Sequence, residues 1–330
     1  MLKLKTEKKK GKFNLYNIIF NPAKEGKGVK KEPVGPKNLI NFFKLFGRSF
    51  SKIVGVNMLF IFGNFPIIFM LLAKAGYFSK TSFAPASMLF SAVHSATLNS
   101  PSPYTSALFG IFGFQGQITV NTTVTYILYG LSLLTILTFG LVNVGTTYIL
   151  KLLVKGEPIF MMSDFKYAIK RNFKQGMIMG ILDVVFMFVI GFDISYFFSN
   201  IGTYANNLVF YASILLALVY LVMRFYIYNI MITFDLSIYK ILKNSLIFSV
   251  VGLKRNIMAL IGIAFLAALN VFLLGLYFPL GMIFPFILLF GAGAFMGTYA
   301  SYPKIEEIMI TPYLDEKEEE ENEEEPIFVD

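Results

Sequence analysis

The feature that most constrains this sequence is a series of six apolar stretches, each about 20 residues long and nearly free of charge. A helix of that length crosses the hydrocarbon core of a bilayer while satisfying all of its own backbone polar groups. The stretches are residues 53–72, 126–150, 177–198, 208–229, 257–276 and 279–299. We therefore predict an all-α fold, a polytopic transmembrane helical bundle of about six spans arranged in three hairpins.

Composition excludes the common soluble classes of protein. Of the 330 residues, 56% are hydrophobic and 15% are charged, whereas soluble domains carry about 25% charged residues. There is no Cys and one His, His94, which excludes disulfides, thiolate metal sites and sites built from several histidines. The sequence also contains no HExxH, GxSxG or P-loop motif. We expect no enzymatic activity, no cofactor and no metal.

The distribution of Lys and Arg around the six stretches predicts the orientation. If both termini lie inside, the inside segments carry 26 basic residues and the outside loops carry two, Lys74 and Lys80. Because basic residues favour cytoplasmic loops, we predict a multi-pass protein of a bacterial plasma membrane, with an N-in and C-in topology. The same rule accounts for the basic clusters, so we expect no nucleic-acid partner.

Three regions follow from this topology. Residues 1–52 form a basic cytoplasmic segment with an amphipathic helix, residues 53–299 form the transmembrane domain, and residues 300–330 form an acidic cytoplasmic tail. The run from Glu316 to Glu325 is expected to stay unfolded, because like charges repel and bury no apolar surface.

The outer loop, residues 73–124, is long, almost uncharged and interrupted by prolines. Its apolar pieces 83–98 and 104–120 are at the lower edge of a spanning length. They are compatible with re-entrant or interfacial helices, and also with two further spans, which would leave the orientation unchanged.

Each predicted hairpin is preceded by a basic amphipathic segment. These segments are residues 37–52, 164–176 and, more weakly, 236–255. Such helices lie at the membrane surface with their cations on anionic lipid headgroups; an alternative is a docking surface for a cytoplasmic partner such as the ATPase of a transport complex. The interfacial basic residues are Lys44, Arg48, Lys170, Arg171 and Lys174.

Three ionisable residues lie inside predicted spans, and such residues are rare and costly in a bilayer. Asp183 lies about seven residues from the inner end of its span and Arg224 about five residues from the inner end of the next, so their depths agree within a few Å at about 1.5 Å per residue. We predict an intramembrane ion pair that fixes two helices in register, with a proton or substrate pathway as the alternative. Asp193 is expected near the outer boundary.

Other residues in the spans are expected to shape and pack the helices. Pro66 and Pro285 should kink their spans. Small-residue faces at Gly176 and Gly180, and at Gly293 and Gly297, should allow close helix approach. Hydrogen bonds between helices are expected from Asn57, Asn64, Asn143 and Asn270.

Several of these segments resemble the YesL-like family of integral membrane proteins of Gram-positive bacteria, whose molecular function is unknown. The resemblance rests on NPAKEGKGV at 21–29, FFKLFGRSF at 42–50, DFKYAIKRNFKQG at 164–176 and the acidic tail that ends in PIFVD. It covers nearly the whole chain, although the outer loop is longer than in the shortest members and Trp is absent.

The resemblance implies an association with carbohydrate uptake, which the residues themselves do not show. We therefore expect a non-catalytic membrane protein that is an accessory component of a membrane transport complex for carbohydrate uptake. The alternative is a small-molecule transporter or permease subunit.

Overall fold

The structure is a computed structural model, and it describes residues 34–312. Predictions about residues 1–33 and 313–330, including the acidic run, lie outside this range. The described chain is almost entirely helical. Its elements are α1 (Leu39–Arg48), α2 (Phe50–Gly63), α3 (Ile67–Lys74), β1 (Lys80–Pro85), α4 (Phe90–Asn99), α5 (Pro103–Phe112), β2 (Gln115–Val120), α6 (Thr123–Ser132), α7 (Leu134–Lys155), α8 (Met161–Arg171), α9 (Phe173–Ser199), α10 (Tyr204–Thr233), α11 (Ile238–Val251), α12 (Leu253–Leu276), α13 (Phe278–Phe284), a π-helical turn (Pro285–Leu289), α14 (Phe290–Ile305) and a second π-helical turn (Glu306–Ile310).

The prediction of an all-α polytopic bundle is confirmed. Within the described residues, five helical segments are long and apolar enough to cross a membrane, and α1 with α2 forms a sixth candidate that bends by 75°. The five segments are Thr123–Lys155, Phe173–Ser199, Tyr204–Thr233, Leu253–Leu276 and Phe278–Ile310. They coincide with the second to sixth predicted stretches.

Two of the predicted spans are interrupted. The first consists of α2 and α3, which are separated by a turn at Asn64–Pro66, and Pro66 is the residue immediately before α3. In the last, Pro285 opens the π-helical turn between α13 and α14. A proline has no N–H to donate and its ring clashes with the preceding turn, so both interruptions follow from the sequence.

The last helix continues past residue 299, the predicted end of the transmembrane domain. α14 extends to Ile305 and the second π-helical turn to Ile310. Tyr302 and Ile305 are buried against the bundle, and this packing keeps the chain helical beyond the apolar stretch. The first part of the region predicted as the tail, residues 300–310, is therefore helical.

The outer loop forms neither two further spans nor a single helix in each piece. β1 and β2 pair antiparallel, and α4 and α5 pack together at the tip between them, with Phe90, His94 and Phe109 in ring contact. Each of these helices has 10 residues, a length of ~15 Å that is too short to cross a bilayer. The piece 104–120 is thus part helix and part strand.

One end of the bundle, which we call the basic end, carries α1, α8 and the loops that join α7 to α8 and α10 to α11. The amphipathic helix α1 docks there on α14, where the Phe42 and Phe295 rings stack with centroids 5.3 Å apart. Tyr299 Oη donates to the carbonyl oxygen of Asn38 over 2.9 Å, and Lys37 pairs with Glu306. These contacts join the start of the described chain to its end.

The tightest helix crossing is between α7 and α9. Gly140 and Gly180 face each other there, and a Cβ on Gly140 would lie 2.5 Å from the Gly180 Cα and would also overlap the carbonyl oxygen of Gly176. Atoms that are not bonded do not approach so closely, so only glycine fits at this crossing. The small-residue face predicted at Gly176 and Gly180 lies at this contact.

Gly297 is packed similarly, since a Cβ there would lie 2.6 Å from the Phe225 ring. Gly293 has ordinary space, because its nearest such neighbour, Ile263, would be 3.8 Å away. Of this predicted glycine pair, only Gly297 is at a close contact.

Candidate functional site

The structure brings Asp183 of α9 and Arg224 of α10 into direct contact. Arg224 Nε lies 2.9 Å from Oδ1 and 3.0 Å from Oδ2 of Asp183. The carboxylate side chain is 1% exposed and the arginine side chain 21% exposed. Asp183 is the eleventh residue of a 27-residue helix, which places the ion pair deep within the span.

Two tyrosines of α10 complete the surroundings of this carboxylate. Tyr220 Oη donates to Oδ1 over 2.8 Å, and Tyr228 Oη donates to Oδ2 over 2.7 Å. Tyr220, Arg224 and Tyr228 are spaced four residues apart, so they lie on one face of α10. Each Asp183 oxygen therefore accepts a tyrosine hydroxyl in addition to its contact with the guanidinium group. We call these four residues the Asp183 cluster.

The α7 helix supports the Asp183 cluster from the side. The guanidinium carbon of Arg224 lies 5.4 Å from the centroid of the Phe139 ring, within the range of a cation–π contact. Phe139 directly precedes Gly140, whose close contact with Gly180 brings α7 against α9. The close contact of Gly140 with Gly180 thus helps to set the distance between the Phe139 ring and the Arg224 guanidinium group.

The geometry satisfies the hydrogen-bonding needs of the buried carboxylate. A buried charge is tolerated when it is paired and its remaining lone pairs are hydrogen-bonded, and Asp183 meets both conditions. Arg224 contacts the carboxylate through Nε. The cluster therefore connects α9 to α10 directly, and the contact of Arg224 with the Phe139 ring adds α7.

The predicted amides differ in their roles. Asn57 bridges α2 to the interrupted last span: its Nδ2 donates to the carbonyl oxygen of Pro285 over 3.0 Å, and its Oδ1 accepts from Gly291 N over 2.8 Å. Asn64 accepts from Thr138 of α7 over 3.4 Å. Asn143 donates to Phe139 in its own helix.

Asn270 makes no hydrogen bond through its buried Oδ1 within the described chain. Two of the four predicted amides, Asn57 and Asn64, therefore join helices, while Asn143 and Asn270 do not. Asp193 is half-buried, and no ion pair includes it within residues 34–312.

The basic residues predicted to be interfacial all lie at the basic end. Lys44 and Arg48 are exposed on α1, whereas Phe42 and Leu45 of the same helix are buried. Lys170, Arg171 and Lys174 line a cavity of about 550 Å³, which we call the α8/α9 groove. Its other lining residues are Asn172, Phe173, Gln175, Met231, Ile232, Phe234 and Asp235.

Inspection of single residues missed Tyr220, Tyr228 and Phe139. The signal that identifies the tyrosines is their spacing from Arg224, because polar tips at steps of four residues in an apolar helix share one face. Phe139 carries no comparable signal in a chain with 37 phenylalanines.

Comparisons of this chain with protein-family models, with curated proteins and with solved structures each found no match.

Proposed function

We propose that the chain is a non-catalytic multi-pass membrane protein and that it serves as an accessory component of another membrane complex. The observation that carries this proposal is the placement of its charges. The charged residues of the Asp183 cluster are used in contacts within the bundle, whereas exposed cations gather at the basic end. A surface of this kind suits contact with other molecules better than chemistry inside the bundle.

The proposal includes the orientation and the setting of the protein. The basic end faces the cytoplasm of a bacterium, because Lys and Arg concentrate on the cytoplasmic side of plasma-membrane proteins. The resemblance to the YesL-like family supports carbohydrate uptake as the process in which the complex acts. The α1 helix then presents its basic face to the cytoplasmic part of that complex.

A second candidate function is small-molecule transport, and one observation favours it. The last span contains a π-helical turn that begins at Pro285. Asn57 donates to the Pro285 carbonyl oxygen within this turn and accepts from Gly291 N just after it. Discontinuous spanning helices are common at transporter binding sites.

Affinity purification from native membranes, followed by mass spectrometry, tests the accessory function. We expect a membrane component to co-purify in stoichiometric amount. Lys44→Glu on the exposed face of α1 should reduce that yield, while Lys74→Glu at the opposite end serves as the charge-matched control. Liposomes that contain only this chain should not accumulate sugars. Sugar accumulation without a partner would reject the accessory function in favour of transport.

A further inference from the structure

We propose that the α8/α9 groove is a binding site for the phosphate headgroup of an anionic membrane phospholipid. The groove has a volume of about 550 Å³, within the ~300–1,000 Å³ that is usual for ligand sites. It lies between the junction of α8 with α9 and the end of α10. This inference goes beyond the accessory function and depends only on the basic end lying at a membrane surface.

The charge of the groove selects an anion. Three cations line it, namely Lys170, Arg171 and Lys174, and one carboxylate, Asp235. No ion pair joins these three cations to a carboxylate within residues 34–312. Arg171 makes a long hydrogen bond of 3.4 Å to Tyr167 Oη, which leaves most of its donors available. The groove therefore holds an excess of positive charge with donors for phosphate oxygens.

The position of the groove places that charge at headgroup depth. α9 begins at Phe173 and α10 ends at Thr233, so the groove lies where two spanning helices reach the membrane surface. Gln175 Nε2 donates to the carbonyl oxygen of Leu236 over 3.0 Å and fixes the start of α9 to the chain that follows α10. The cations are thus held on a rigid junction.

The apolar lining of the groove favours a lipid over free phosphate. Phe173 is 48% exposed and lines the groove together with Phe234. A phospholipid has acyl chains that pack on such a surface while its phosphate contacts the cations. Free inorganic phosphate gains nothing from the apolar lining.

The absence of Trp from the chain allows a sharp test. Phe173→Trp places a single fluorophore at the groove, and the full chain carrying it is reconstituted in phosphatidylcholine vesicles with a minor fraction of phosphatidylglycerol. One of the two lipids is brominated at a time, because bromine quenches tryptophan on contact. We expect phosphatidylglycerol to be enriched at this position at least about fivefold over its bulk fraction. One cation near an anionic surface strengthens binding by about 1 kcal/mol, which corresponds to about fivefold in affinity.

Matched variants locate the effect. Lys170→Gln, Arg171→Gln and Lys174→Gln together should abolish the enrichment. Lys240→Gln, Lys243→Gln and Lys254→Gln remove the same number of exposed cations outside the groove and should leave it unchanged. Circular dichroism and gel filtration confirm that both triple variants are folded. Equal enrichment in the two triple variants would overturn the proposal.

Two further measurements distinguish a bound phospholipid from a free anion and from the acidic tail as the occupant of the α8/α9 groove. Millimolar inorganic phosphate should not displace the brominated lipid, and displacement would assign the groove to a free anion instead. Truncation after Pro312 removes the acidic tail and should not change the enrichment. A large increase on truncation would show that the tail fills the groove in the full chain, which also contradicts the lipid site. No result here depends on a co-purifying partner, so the accessory function is tested separately.

Discussion

At the scale of single residues, the contact between Asp183 and Arg224 was predicted from their rarity in apolar stretches and from their matching depth. The neighbours of the pair were not predicted, because Tyr and Phe are frequent throughout the chain and only three-dimensional packing selects Tyr228 and Phe139. The four-residue spacing on α10 was available in the sequence. The choice of tyrosine partners for one carboxylate depends on how α9 and α10 rotate against each other, which the sequence pattern does not specify.

A double-mutant cycle tests the energetic coupling of the pair. Asp183→Asn and Arg224→Gln each leave a buried partner uncompensated, which typically costs about 3–5 kcal/mol, whereas the double change should cost less than the sum of the two. Thermal unfolding in detergent should show a coupling of at least about 0.5 kcal/mol. Asp193→Asn on the same helix is the control and should change the free energy of unfolding very little. Strict additivity of the two single changes would rule out an energetic contact.

Loss of one tyrosine donor should also destabilise the bundle. Tyr228→Phe removes a hydrogen bond to a buried carboxylate, and the lost hydrogen bond costs about 1–3 kcal/mol. Tyr211→Phe on the same helix is the matched control, since that side chain is 68% exposed and should change the melting temperature little. Equal effects of the two changes would mean that the hydroxyl of Tyr228 contributes nothing specific.

At the scale of helices and strands, the length of the apolar stretches predicted the positions of most spans. The prolines within them predicted where two of the spans are interrupted. The positions of Pro66 and Pro285 predicted both interruptions, but not that the second would be a π-helical turn. From its length and apolarity, the piece 104–120 was compatible with a re-entrant or interfacial helix or with a further span. Its second half is β2, because the β-branched residues Ile118, Thr119 and Val120 pair with β1, and pairing with a distant strand leaves only a weak local signal.

The glycine crossing of α7 and α9 is tested by adding a methyl group. Gly140→Ala should destabilise the bundle by at least about 1–3 kcal/mol, because overpacking forces the backbone to shift. Gly191→Ala in α9 is the matched control: apart from its chain neighbours and the nearby backbone of its own helix, nothing lies within 4 Å of the added Cβ. Alanine also favours helix by up to about 1 kcal/mol. A stabilising effect of both changes, measured by thermal unfolding, would contradict the close crossing.

The bridge from Asn57 to the interrupted span is also open to test. Asn57→Ala leaves the Gly291 N–H and the Pro285 carbonyl without this partner, so we expect a loss of about 1–3 kcal/mol. Asn143→Ala removes an amide that bonds only within its own helix and should cost clearly less. If thermal unfolding shows equal losses, the bridge does not stabilise the interruption.

At the scale of the whole molecule, apolar patterning accounts for the five helical segments within residues 34–312 that are long enough to cross a membrane. In a bilayer a helix is one of the few structures that satisfies its own backbone polar groups. The docking of α1 on α14 could not be predicted, since the pairing of Phe42 with Phe295 joins residues far apart in sequence. The bundle holds the charges of the Asp183 cluster in internal contacts, and most of the exposed cations of the described chain lie at the basic end. The proposed accessory function requires the basic end to be the cytoplasmic end.

Cysteine labelling measures this orientation directly, because the chain contains no Cys. Lys10→Cys and Glu320→Cys report the two termini, and Ser100→Cys reports the loop between α4 and α5. In intact spheroplasts, a maleimide that does not cross the membrane should label position 100 and neither terminus, and all three positions should react after permeabilisation. Labelling of position 10 or 320 in intact spheroplasts, with position 100 protected, would contradict the account.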